Sequence, residues 1–458
     1  MIEAILIMVL IIGLWEIIKL SWAWYCRRQV IDVFTDFLYF DAAGTTPMCQ
    51  ESIDAMINAV ALGNASTDYA TQIGIIPNII DEATYLVRSY VESPNATIIF
   101  NSGASEGNCY SLRCIADTPT KDGSIPHIIL SSTEHKSSLM CVDQLTAAGR
   151  ITVTYCDPDY NGVINPMRIA EEIRPNTRLI SIIHTNNETG AVAPVAAIGK
   201  IAARAGVMFH VDCTQSFSKI PIQMCANHID FLTASAHKFY GPTGVGILAL
   251  SPRAVALGVS QIGGTQFGKL RGGTENIPGI ASTLAAMRYC AKDRASKNET
   301  LYRHKLAIVR ALANEYGLIP YIDCYGQPDE WTTVCDDTPA KVILMGSIID
   351  SSPNTLLLSI IRTGLYPMSD RFCNVKLKQS LFDEGVIISI GSACNTKSSG
   401  PSHVLKAIRA PYIVRSGTIR ISMLDTVSED QVQKMIKILI TGINRQLEQN
   451  CSSAVCSK

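Results

Sequence analysis

The chain has 458 residues, 47% of them apolar and 17% charged, which is enough for two or three domains with full cores of their own. Thirty-nine basic side chains face 40 acidic ones, with no basic stripe or run of like charge, and this argues against a nucleic-acid partner. Fifteen cysteines, an odd number with no C-x-x-C spacing, argue against a disulfide framework or a zinc site and point to a reducing compartment.

The first element is hydrophobic. The unbroken run Ala4 to Trp15 spans about 18 Å as a helix, short of a hydrocarbon core of about 30 Å, but extended to Tyr25 it is long enough. Glu16 and Lys19 fall on one helical face and can pair. Trp15, Trp22, Trp24 and Tyr25 have the composition of an interfacial belt, and Arg27 and Arg28 follow, which places the bulk of the chain in the cytosol. No basic residue precedes the run and no small-x-small site follows it, so a cleaved signal peptide fits badly. The reading is a single-pass membrane anchor over residues 1–28; a hydrophobic helix docked on its own domain is the alternative.

After a linker, Gln29 to Asp36, helical periodicity covers Ser52 to Leu62 and Pro77 to Val91. Short β-branched runs follow at "ATIIF", "HIILSS", "ITVTYC", "RLISIIH", "VMFHVD", "DFLTAS" and "GVGILAL", several of them separated by helical segments. This alternation predicts an α/β domain with a mostly parallel sheet, in which ligands sit beyond the carboxyl ends of the strands. One long helical pattern, Ile277 to Tyr316, leads to a smaller α+β domain. There "TLLLSII" and "GVIISIG" read as strands, and a closing amphipathic helix runs from Ser428, its cap, to Gln449. The expected division is an anchor at 1–28, a large domain at 29–290, a small domain at 291–450 and a disordered tail at 451–458.

The residues at the strand ends carry the chemistry. "IIFNSGASEGN" is a strand, a glycine turn and a helix start, where backbone N–H groups of Gly103, Ala104 and Ser105 and the Ser105 hydroxyl can hold a phosphate. His135, Asn187, Asp212, Gln215, Ser235, His237 and Lys238 each follow or end a predicted strand. Taken singly, each is turn chemistry. Together they form a phosphate cradle, an acid, an aromatic ring donor and a long amine, the parts that pyridoxal phosphate needs.

At this point the chain resembles the cysteine desulfurases of the NifS/IscS type, in the class V aminotransferase group of fold-type I pyridoxal 5'-phosphate enzymes. The likeness runs from about Tyr39 to Ser422, through "YFDAAGTTP", "SGASEGN", "TEHK", "HTNNETG", "HVDCTQS", "SAHKFYGPTGVG", "LRGGTEN" and "GSACNTKSSGPSHVL". The resemblance implies Lys238 as the Schiff-base lysine, Asp212 as partner of the pyridine nitrogen and His135 as the ring stacked on the cofactor. It implies Asn187 and Gln215 on the substrate side and phenolic oxygen, and Ala104, Ser105, Ser235 and His237 around the phosphate. Thr274 resembles the threonine that reaches the neighbouring subunit's phosphate, implying a homodimer. Arg420, in "TIRISM", resembles the arginine that receives the carboxylate of L-cysteine. Cys394, in a Gly/Ser-rich stretch, resembles the thiolate that takes sulfur from the substrate and passes it, as a persulfide, to an acceptor protein such as an iron–sulfur scaffold. No metal is implied.

Some positions depart from the family pattern. Ser105 replaces a usual threonine and Gly107 a usual serine, Thr265 stands for a third glycine, and Phe267, Gly268 and Lys269 stand for Glu-Arg-Gly. Residues Tyr321 to Met345 have no counterpart and read as a surface insertion or a partner site. The competing readings are a selenocysteine lyase or other β-lyase, and an inactive membrane-tethered scaffold.

Overall fold

The computed structural model describes residues 13, 15, 19, 21, 36–64, 75–120, 122–258, 263–327, 338–363, 372–390 and 402–455, with the side chains of 75–77 and 449–455 left aside. Seven strands form the central sheet: β1 (Thr97–Asn101), β2 (His127–Ser131), β3 (Thr152–Cys156), β4 (Thr177–Ile183), β5 (Met208–Asp212), β6 (Phe231–Ser235) and β7 (Gly246–Leu250). Their order is β1-β7-β6-β5-β4-β2-β3, and β7 alone runs antiparallel to both of its neighbours. A mostly parallel sheet is thus present, as expected.

Alternate residues of these strands feed two different cores. Ile98, Phe100, Ile247 and Ala249 pack on one face, Ile99, Leu248 and Leu250 on the other. Burial on both faces is why the strands read as continuous apolar runs rather than as alternating patterns. The strands match their predicted runs to within a residue or two at each end, within the usual uncertainty of strand ends.

A second sheet holds β8 (Leu318–Pro320), β9 (Ala340–Leu344), β10 (Thr355–Arg362) and β11 (Thr418–Ser422), in the order β11-β10-β9-β8. The stretch without a family counterpart contributes here: Tyr321 and Cys324 are buried, and the Tyr321 hydroxyl donates to the carbonyl of Ile408 at 2.7 Å. Its described ends are therefore anchored in the core through Tyr321, Cys324 and the strand Ala340–Leu344, while Ile322 and Asp323 face outward. Near the start of the chain, Leu38 and Tyr39 pair with Val386 and Ile387, and Phe40 is fully buried in the core under the second sheet.

Two helical expectations need correction. The pattern from Ile277 to Tyr316 is two helices, Ile277–Ala291 and Arg294–Tyr316, because Lys292 is extended (ψ 121°) and Asp293 is left-handed (φ 55°). The closing helix starts at Glu429 with Ser428 as its cap, the Ser428 hydroxyl accepting from the N–H of Gln431, and runs to Val455, further than the polar composition suggested.

Of the N-terminal hydrophobic stretch only Gly13, Trp15, Lys19 and Ser21 are described, all helical. The anchor reading otherwise lies outside the described residues. Among the described residues no helix is long and apolar enough to cross a membrane.

Candidate active site

A cavity of about 350 Å³ opens at the carboxyl ends of the central strands. Its wall includes Ala104, Ser105, His135, Asn187, Asp212, Gln215, Ser235, His237 and Lys238, nine of the residues singled out in the sequence. Strand order places them there: each lies at or just after the end of a strand, and the parallel strands end on the same side.

Lys238 ends a single 3-10 turn, Ala236–Lys238, that follows β6. Its Nζ donates to the carbonyls of Ala43 at 2.8 Å and Gly44 at 2.5 Å. Burial, aided by the positive charges of Arg420 and Lys219, pulls the amine down to about 7. A lysine tuned to neutrality can be a nucleophile and a proton carrier in one pH range.

Asp212 ends β5 and is buried. Its Oδ1 accepts from the N–H of Thr214 at 2.9 Å and its Oδ2 from the Asn108 amide at 2.8 Å. The same Asn108 nitrogen lies 3.1 Å from Ser137 Oγ, which in turn lies 2.8 Å from His135 Nδ1. The N–H of Ser137 also donates to His135 Nδ1, so this nitrogen is an acceptor and the ring proton sits on Nε2. His135 is exposed to the cavity, yet the protein around the ring lowers its pKa, with Asp212 opposing. Behind them the fully buried Glu134 accepts from the N–H of Ile183 at 2.6 Å, and burial together with the Asp212 carboxylate pushes its pKa well up.

The phosphate cradle is built on close backbone contact. Gly103 caps the helix Ala104–Asp117 at φ +149°, and a Cβ placed on the facing Gly246 would lie 2.2 Å from Asn101 Oδ1. Only glycine lets the turn and β7 pack this closely. One expectation changes here: the N–H of Gly103 is spent on Asn101 Oδ1 at 3.0 Å, leaving the amides of Ala104 and Ser105, at the first helical positions, as the cradle's backbone donors. Ser235 is buried beside them, and burial, with Lys238 and Lys219, lowers His237 to about 4, so its ring is neutral.

Arg420 on β11, in the second sheet, is not part of this wall but bonds to a residue of it. Its Nη1 donates to the carbonyl of Asn187 at 2.7 Å and its Nη2 to Asp41 at 2.6 Å. Gln215 donates to the carbonyl of Ala43 at 2.9 Å. Thr274 is exposed and lies apart from this wall. Cys394 lies outside the described residues. The sequence reading missed Asn108, Ser137 and Asp41. Asn108 and Asp41 lay inside quoted motifs, but only the tertiary contacts give them a task.

The variant loop at Thr265–Lys269 is held by side-chain contacts as well as by glycine, Gly268 taking a left-handed φ of +68°. Phe267 packs between the two large-sheet cores, 6.5 Å from the Phe100 ring, and Gln266 accepts from the N–H of Gly273 at 3.1 Å.

The donor set suits pyridoxal 5'-phosphate: amides and hydroxyls for a phosphate, a buried carboxylate for a ring N–H, and an amine of lowered pKa. Comparison with known proteins agrees. A family model for class-V aminotransferases matches residues 38–334. The chain is 29% identical over 417 residues to the cysteine desulfurase IscS of Methanosarcina thermophila, covering 90% of this chain and 94% of that one. It is 31% identical over 413 residues to a cysteine desulfurase of Trichormus azollae, covering 89% and 93%. Among solved structures, a NifS-like protein superposes with a TM-score of 0.73 at 25% identity, over 88% of this chain and 99% of that one. SspA in complex with cysteine superposes at 0.66 with 29% identity, over 84% and 98%. The chain belongs to the class-V aminotransferase family, whose members work with pyridoxal 5'-phosphate. Within it, this is a cysteine desulfurase of the NifS/IscS type.

Proposed function

We propose that the protein converts L-cysteine to L-alanine and leaves the sulfur as a persulfide on Cys394, from which an acceptor protein collects it. The observation that carries this is the placement of Lys238 and the buried Asp212 carboxylate on the wall of one cavity, where burial lowers the pKa of the amine. Bound pyridoxal phosphate supplies an electron sink for the pair left when a substrate α-proton departs. Asp212 would hold the proton of the ring nitrogen, and Ala104, Ser105, Ser235 and His237 the phosphate. Arg420 would receive the substrate carboxylate beside Asn187, with Gln215 on the ring oxygen. Lys238 Nζ then takes the α-proton, and His135 assists in acid–base steps. The Cys394 thiolate attacks the substrate sulfur; the carbon–sulfur bond breaks as the sulfur–sulfur bond forms, and the carbon is protonated. In sum, L-cysteine and one thiol give L-alanine and one persulfide, with no external oxidant.

The test uses the full chain in detergent, with cysteine and a thiol reductant. Alanine and sulfide should appear in equal amounts, and the Cys394→Ser variant should make neither. Unchanged turnover in that variant would overturn the reading.

The same reading extends to partners and place. The exposed Thr274 supports a homodimer in which it completes the partner's phosphate site. An iron–sulfur scaffold or a thiolation acceptor fits the product. The composition of residues 1–28 supports a single-pass anchor, with the large domain 29–290 and the small domain 291–450 in the cytosol. Alkaline extraction of membranes should release the chain only when residues 1–28 are deleted; release of the intact chain would remove the anchor.

A further inference from the structure

Two consecutive residues just downstream of the Cys394 stretch are tied to the active site by their side chains. Ser402 donates to Glu188 Oε2 at 2.6 Å, and both residues are buried. His403 Nε2 lies 2.9 Å from the carbonyl of Glu134; a carbonyl only accepts, so Nε2 carries the proton. These partners flank the site in the chain. Glu134 precedes His135, and Glu188 follows Asn187, whose carbonyl holds Arg420. Upstream of the stretch, the backbone of Ser389 exchanges two hydrogen bonds with that of Arg420, at 3.1 and 2.7 Å. The Ser402 hydroxyl also caps the helix His403–Ala407 by accepting from the N–H of Leu405 at 3.2 Å. One hydroxyl therefore starts this helix and fixes it to the loop that follows β4.

We propose that Ser402 and His403, with Glu188, are positioning residues that register the Cys394 segment against the substrate site. This rests on the desulfurase reading above. The clamp acts on sulfur transfer alone. Removal of the α-proton needs Lys238 but not Cys394, so the two halves of the reaction separate experimentally. Displacement of a reacting group by about 1 Å costs on the order of a hundredfold in rate.

The experiment compares the full-length holoenzyme with Ser402→Ala, His403→Phe, Glu188→Gln and Ser402→Thr. Exchange of the α-hydrogen of alanine with deuterated water reports the first half. The mass of one added sulfur on Cys394 after a single exposure to cysteine reports the second. Ser402→Ala and His403→Phe should slow persulfide formation on the order of ten- to hundredfold, with α-exchange within about twofold. Ser402→Thr keeps the hydroxyl and should restore transfer, and Glu188→Gln, which leaves the helix cap intact, should slow it. A thermal-unfolding cycle of Ser402→Ala with Glu188→Gln should be non-additive, as for residues in contact. If exchange and transfer fall together, or if transfer is unchanged, the clamp is only structural and the proposal is wrong. A wild-type protein that exchanges the α-hydrogen but never gains sulfur would instead overturn the desulfurase reading, and the clamp with it.

Discussion

Arg420 Nη2 lies 2.6 Å from Asp41 Oδ1, while Nη1 of the same guanidinium is held by the carbonyl of Asn187. The fork is oriented before any substrate carboxylate arrives. A lysine at this position keeps the charge but loses the planar fork. Arg420→Lys should raise the KM for cysteine about ten- to hundredfold, with a smaller change in kcat and the bound cofactor's absorbance retained. Steady-state kinetics give the answer; an unchanged KM would take Arg420 out of substrate binding.

The amine of Lys238 titrates at about 7, so its lone pair is present above that pH and lost as pH falls below it. Uptake of pyridoxal phosphate by the cofactor-free chain should slow as pH drops through about 7. Arg420, whose positive charge helps to lower this pKa, gives a control: Arg420→Gln should move the midpoint upward. A midpoint near the ordinary lysine value of 10.5 in the wild-type chain would show that burial does not act as the geometry implies.

Asn108 ties the Asp212 carboxylate to the His135 side of the site through Ser137. Asn108→Ala removes a hydrogen bond to a buried carboxylate, a loss of about 1–3 kcal/mol. Cofactor affinity should weaken about ten- to hundredfold, measured by fluorescence titration. Unaltered affinity would reduce Asn108 to a packing residue.

Lys305 is fully buried and donates to the carbonyls of Ile348 and Ser352 and to Ser351 Oγ. Burial lowers it from 10.5 to about 7. Between those two values the unfolded chain binds one more proton than the folded one, so this group makes stability rise with pH across the window. Lys305→Met should cost about 1–3 kcal/mol at neutral pH, by stranding acceptors, and should flatten the rise above pH 7. Denaturant unfolding at several pH values tests both; parallel pH curves for the two proteins would refute the linkage.

Gly107 stands where the family usually has serine, and Thr233 explains it. A Cβ at this position would lie 2.7 Å from Thr233 Cγ2 and 3.0 Å from its Oγ1. Gly107→Ser should destabilise by about 1–3 kcal/mol, and Thr233→Ser, which removes the methyl group, should recover part of the loss. Additive effects in the double variant would dissociate the two positions.

Much of the large sheet and its rim could be read from the chain. Strands buried on both faces announce themselves as β-branched runs, and parallel strands must deliver their ends to one side, so His135, Asp212 and Lys238 could be grouped before any fold was known. What escaped depends on partners far apart in sequence. Nothing near Asp41 signals Arg420, and nothing near Ser402 signals Glu188. The antiparallel course of β7 was equally hidden, because β-branched composition does not encode direction. The left-handed Asp293 split a helix whose side-chain periodicity ran on unbroken, a backbone event that periodicity does not report.

The pairing of Asp41 with Arg420 also sets an order of events during synthesis. The two residues are 379 positions apart, and Leu38–Tyr39 likewise wait for Val386–Ile387. At about 5–20 residues per second, the ribosome needs on the order of 20–75 s to travel from one to the other. The seven strands of the large sheet all emerge well before that. A nascent chain can thus complete its cofactor-binding sheet while the first segment still has no strand to join, and the Asp41–Arg420 pair forms only after that sheet is in place.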